Sequence, residues 1–221
     1  MEPGRFTFAF FQSGSSVLFE RNQMLAKAHV TVGMAAAFTI MKPETVAEAL
    51  PVIAGGALGC LICDLDCEVT KEKTESSHWR VVMGLIAAAA LIEDHLMNAG
   101  MWNSLGSNGQ YLWFAGLVGF VLTGGFASVS SHRGFSHSLL AMALFAGSLW
   151  LVFPAMTIPF AITFASHLIL DLLNKKSLRL FYPAEKGICL GMFYADRFAN
   201  KVFAAAGSVW LVAAVILSLR K

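Results

Sequence analysis

Long apolar stretches separated by short polar ones dominate the chain. They run over about 28–41, 46–65, 80–97, 111–130, 138–153, 155–173 and 202–219. A helix rises about 1.5 Å per residue, and an upright crossing of hydrocarbon needs roughly 20 residues. Several stretches fall short of that, especially the first and third. The pattern therefore predicts an all-α polytopic membrane bundle of six to seven transmembrane or re-entrant segments. Residues 1–27 read as a peripheral lead-in and 28–221 as one transmembrane helical domain. Near the start, Arg5 precedes a short Phe-rich stretch and then Gln12, Ser13, Ser15 and Ser16, which does not make a signal peptide. Insertion through the first span is the expectation.

Composition supports this reading. Of 221 residues, 57% are hydrophobic and 14% charged, with a mean hydropathy of +0.64. A soluble domain of this length would carry far more surface charge. The net charge of +2 is not arranged as a basic stripe interleaved with aromatics, so nucleic-acid binding is not expected. Cys60, Cys63, Cys67 and Cys189 form no disulfide framework and read as small apolar side chains. Gly55, Gly56 and Gly59 belong to a set of intramembrane glycines suited to close helix packing.

Alternating the seven segments across a membrane leaves only Lys42, Arg220 and Lys221 on one side. Every other Lys and Arg falls on the opposite side, which the positive-inside rule makes cytoplasmic, together with the N-terminus. That same side receives four polar clusters: His29, Asp64-Leu-Asp66, His132-Arg-Gly-Phe-Ser-His137 and His167-Leu-Ile-Leu-Asp171. Ionisable groups at the edge of apolar helices are costly, and imidazoles meeting carboxylates there point to a metal site.

Each cluster also has a plainer use. His167 and Asp171 lie one helical turn apart, where they can share a metal or simply pair with each other, and Asn174 extends their face. Gly134 permits a tight turn, while Ser136 or Ser138 can cap the next helix or orient a ligand. Arg133 suits an anionic head group or serves as a topology-setting charge. Asp64 and Asp66 diverge on a helix, so both reach one centre only if the helix ends or bends there; otherwise they are solvated helix-end carboxylates.

Taken in order, His29, the Gly-rich lead into Asp64-Leu-Asp66, the His132-to-Ser138 stretch, and Ser166-His167 with Asp171 resemble the YdjM-like family of membrane-bound, predicted metal-dependent hydrolases, also called LexA-regulated. The resemblance covers roughly residues 28 to 185. That family commonly carries a Pro before its paired Asp and a His soon after; here Cys63 and Cys67 occupy that neighbourhood. The resemblance implies a bacterial inner-membrane metallohydrolase.

The expected ligands are His29, Asp64, Asp66, His132, His137, His167 and Asp171. Seven candidates suit a two-metal centre better than one tetrahedral ion, and one or two divalent ions are expected. Zinc and manganese come first for mixed nitrogen and oxygen donors, with iron as a third choice. Metal-activated water would attack a phosphoester, ester or amide, with Asp66 moving the proton and Arg133 stabilising charge on oxygen. The membrane edge favours an amphiphilic or lipid-linked substrate, such as a phospholipid or other lipid ester. No HExxH or GxSxG motif supports a zincin or a serine hydrolase. The competing readings are a divalent-metal transporter, for which Glu93, Asp94 and His95 would supply a path toward the other side, and a structural metalloprotein.

Overall fold

A computed structural model of the chain describes residues 26–66, 74–105, 107–131, 133–192 and 197–220. The N-terminal lead-in up to residue 25, Cys67 and His132 lie outside the described residues. Among the described residues there are seven α-helices, one for each apolar stretch: α1 Ala26–Met41, α2 Val46–Ile62, α3 Thr74–Met97, α4 Gln110–Val129, α5 Leu139–Val152, α6 Pro154–Leu173 and α7 Arg197–Ser218. Three windows, Gln110–Val129, Pro154–Leu173 and Phe198–Ser218, are long and apolar enough to cross a membrane. The apolar helices α1, α2 and α5 are shorter.

The helix ends follow local chemistry. Thr45 caps α2 by accepting from Glu48 N at 3.2 Å, and the Glu48 carboxylate accepts from Glu44 N at 2.8 Å. Ser138 caps α5, accepting from Ala141 N at 3.1 Å. Phe153 alone separates α5 from α6, and Pro154 opens α6 in the first turn, where its missing N–H is not needed. The third helix starts six residues before the apolar pattern does, so Thr74–Trp79 form a polar first stretch.

Contacts fix the helix directions. Trp210 donates to Thr39 at 3.0 Å and Gly207 meets Thr31 and Val32, so α1 and α7 run parallel. Gly33 faces Cys60 and Thr163, while Met34 faces Gly56, which sets α1 antiparallel to α2 and α6. Arg80 at the start of α3 reaches the Asp64 carbonyl beyond the end of α2. Gly116 and Gly119 pack on Ser148, and Asn108 Nδ2 donates to the Trp150 carbonyl, so α4 and α5 are antiparallel. The helices thus alternate in direction. One end of the bundle gathers the start of α1, the ends of α2, α4 and α6, and the starts of α3, α5 and α7.

The central helix is α6. Phe160 and Phe164, with Met156, are fully buried against α2 and α5, and Phe145 joins them from α5. By contrast α4 exposes Leu112, Phe114, Val121 and Leu122, and α7 exposes Phe198, Val209 and Leu217. Outward apolar faces around a buried centre suit a hydrocarbon surround.

The parallel crossing of α2 on α6 is close. A Cβ on Gly55 would strike the Met156 carbonyl, and one on Gly59 would lie 2.5 Å from the Phe160 carbonyl oxygen. Backbone meets backbone here because glycine leaves no side chain between the helices. Gly59→Val is expected to destabilise the protein by about 1–3 kcal/mol, lowering the thermal unfolding midpoint in mild detergent and reducing metal content with it. Gly84→Ala, in open space on α3, should not destabilise.

Candidate metal centre

Four elements deliver nitrogen and oxygen donors to that common end. His29 comes from the first turn of α1, and His167 and Asp171 from the last turns of α6. At Ile62 the α-helix α2 gives way to a 3-10 turn, Cys63–Asp66, which carries Asp64. A second 3-10 turn, Phe135–His137, carries His137. The helix does end at the paired aspartates, the condition their spacing requires for reaching one centre. Asp66 closes its turn, and its side chain lies outside the described set, as does His132.

The donors converge closely. His137 Nε2 lies 3.4 Å from Asp171 Oδ2 and 3.9 Å from Asp64 Oδ1. His167 Nε2 lies 3.7 Å from Asp64 Oδ1 and 3.8 Å from Asp171 Oδ2, and His29 Nε2 lies 3.8 Å from Asp171 Oδ1. These separations exceed hydrogen-bonding range. Ligands about 2.0–2.2 Å from a tetrahedral ion stand about 3.3–3.6 Å apart, close to what is observed. Two overlapping groups, His29–His167–Asp171 and Asp64–His137–His167, can each hold a metal ion. Asp171 turns one oxygen toward His29 and the other toward His137 and His167.

The surroundings fit a metal as well. The rings of His29 and His167 stack with centroids 3.8 Å apart and planes 11° from parallel. His29 Nδ1 is buried with no hydrogen-bond partner among the described residues, so hydrogen bonding does not hold that ring in place. Ser136 Oγ lies 2.9 Å from His137 Nδ1, which turns Nε2 toward the centre. The two serines divide the work: Ser138 caps and Ser136 orients.

Arg133 sits behind Asp171, donating from Nη2 to Oδ1 at 2.7 Å and from Nη1 to the Lys176 carbonyl at 2.9 Å. Its backbone is left-handed, at φ 61, which costs about 1–2 kcal/mol for a residue with a Cβ. Gly134 follows where a Cβ would lie 2.6 Å from the Ser131 carbonyl oxygen. Asn174 ends α6, its N–H donating to the Asp171 carbonyl at 3.2 Å and its Oδ1 accepting from Lys175 N at 2.7 Å. The chain after it closes this end: Leu190 N donates to the Leu172 carbonyl and Met192 N to the Leu173 carbonyl.

At the opposite end, Asp94 is already engaged. Its carboxylate accepts from Met101 N and Trp102 N, both at 3.1 Å, and His95 lies edge-on to Trp102. These contacts tie down the turn after α3. Cys60 and Cys63 are buried, the Cys63 thiol donating to the Gly59 carbonyl at 3.7 Å, and Cys189 is exposed. Sequence reasoning gave Arg80 no part in the site, although a cation at the start of the third apolar segment was its signal. Arg80 Nη1 donates to the Asp64 carbonyl at 3.3 Å.

Comparison with known proteins gives one match. A family model described as YdjM inner membrane protein covers residues 24–220. No curated protein and no solved structure matches the chain.

His137→Ala and His167→Ala are expected to abolish stoichiometric metal, read by elemental mass spectrometry on folded protein in mild detergent. Ser136→Ala should weaken metal affinity about 10–100-fold. Asp94→Ala should lower stability by about 1.5–3 kcal/mol with metal content unchanged; a parallel loss of metal would place Asp94 in the ion's path.

Proposed function

The chain belongs to the YdjM inner membrane protein family, and on that basis we propose that it is a membrane-embedded metal-dependent hydrolase acting on an amphiphilic substrate, a phospholipid or other lipid ester. The observation that carries this reading is the meeting of three imidazoles and two carboxylates, from four separate elements, with Nε2-to-oxygen separations of 3.4–3.9 Å at one end of an apolar bundle. The positive-inside bias supports a cytoplasmic location for that end and for the N-terminus, in a bundle of six to seven segments.

The ligand set is His29, Asp64, His137, His167 and Asp171, to which this reading adds His132 and Asp66. A bound zinc, manganese or iron ion, or a pair of them, would supply Lewis acidity that activates water and polarises the bond under attack. Asp66 takes the proton of the attacking water on a carboxylate oxygen. Arg133 acts on oxygen charge at one remove, by fixing the Asp171 carboxylate. Burial of His29, His137, His167 and Asp171 limits bulk water at the centre. Transport is the weaker reading: the donors gather at one end, and Asp94 at the other is occupied by backbone N–H groups.

Purified protein loaded with zinc or manganese should hydrolyse a phosphodiester reporter or phospholipid in mixed micelles. Chelation should stop turnover and added metal restore it. Asp66→Asn should lower kcat by about 10²–10⁴. Metal uptake into proteoliposomes without turnover on any ester would refute the proposal.

A further inference from the structure

The donors of the centre are sealed unequally. The side chains of His137, His167, Asp171 and His29 are 1–5% exposed, whereas that of Asp64 is 17% exposed. Asp64 therefore marks the open side. A cavity of about 10 Å³ lies there between α1, α2 and α3, bounded by His29, Asp64 and Arg80 and by the apolar Ala26, Val30 and Met83. That is room for about one water-sized group. A single oxygen can enter; a whole headgroup must stay outside.

Two arginines approach the centre, and they stand on different sides of it. Arg133 is buried behind Asp171, with hydrogen bonds to that carboxylate and to the Lys176 carbonyl. Arg80 stands on the open side, in the cavity wall itself and part-buried. Beside it on α3, Val81, Val82 and Leu85 turn outward and exposed, offering an apolar flank at the edge of the cavity.

We propose that Arg80 is the substrate-binding residue of this centre, receiving the anionic oxygens of a phosphate group carried by a membrane-resident amphiphile whose apolar part lies along α3. This rests on the metallohydrolase reading. It narrows the substrate from esters in general to phosphoesters. A carboxylic ester or amide brings no charge to the reacting group, so a guanidinium in a part-buried apolar wall would gain little from it. A phosphoester carries charge at the bond to be cleaved, and the guanidinium fork matches its oxygens.

The test uses full-length, metal-loaded protein in mild detergent, with metal content and thermal unfolding measured for every variant. Titration calorimetry reads the binding of inorganic phosphate and of dioctanoyl phosphatidic acid. Arg80→Ala is expected to fold and keep its metal while binding either probe at least about tenfold more weakly. Arg80→Lys should recover part of the loss, and Lys186→Ala, an exposed cation outside the cavity, should match the wild type. The lipid probe should bind more tightly than inorganic phosphate.

Unchanged phosphate binding in Arg80→Ala would overturn the assignment. So would loss of metal in both Arg80 variants, which would make Arg80 a support for Asp64. Equal affinity for the two probes would overturn the placement of an acyl chain along α3. A wild-type protein that holds metal but binds neither probe refutes this proposal and leaves the metallohydrolase reading standing; a wild-type protein that holds no metal refutes both.

Discussion

The parallel crossing of α2 on α6 is the contact on which the centre depends. Asp64 follows the end of α2, and His167 and Asp171 lie near the end of α6, so these groups meet only if the two helices run the same way at close range. Gly55 and Gly59 allow that range by placing α2 against the backbone of α6 at Met156 and Phe160. Between apolar helices in lipid there is no hydrophobic gain from association, and close van der Waals packing must hold them. Small residues well away from the chemistry thereby set the distances within it.

Bringing carboxylates to the end of an apolar bundle carries an electrostatic cost, and the neighbouring turns are built around it. Asp171 is held by the Arg133 guanidinium, and Arg133 itself adopts a left-handed backbone that few side chains tolerate. The strain is offset by what it places: a cation against the carboxylate, then a 3-10 turn that presents His137. Ser136 and Ser138 finish that turn, one against the imidazole and one against the first N–H groups of α5.

The two ends of the bundle use acidic groups differently. At one end, carboxylate oxygens face imidazole nitrogens across distances too long for hydrogen bonds, leaving space for ions. At the other, the Asp94 carboxylate is consumed by two backbone N–H groups.

Much of this was legible in the residues. Seven apolar stretches gave seven helices, with boundaries shifted by at most six residues, because hydrocarbon demands continuous apolar helices and leaves a strong periodic record. Lys and Arg recorded which loops share a side, and the polar clusters stood out because such residues are costly where they lie. The paired aspartates even announced a helix end. What only the tertiary structure decided is how the helices turn about their own axes and how closely they cross. Spacing along the chain puts His167 and Asp171 on one face, but carries no measure of their distance to His29 or Asp64. The partner of Arg133, the separate tasks of Ser136 and Ser138, and the place of Arg80 beside Asp64 come from the same source. Metal ligation depends on fractions of an ångström between atoms on different helices, and those are fixed by packing, glycine by glycine, across segments far apart in the sequence.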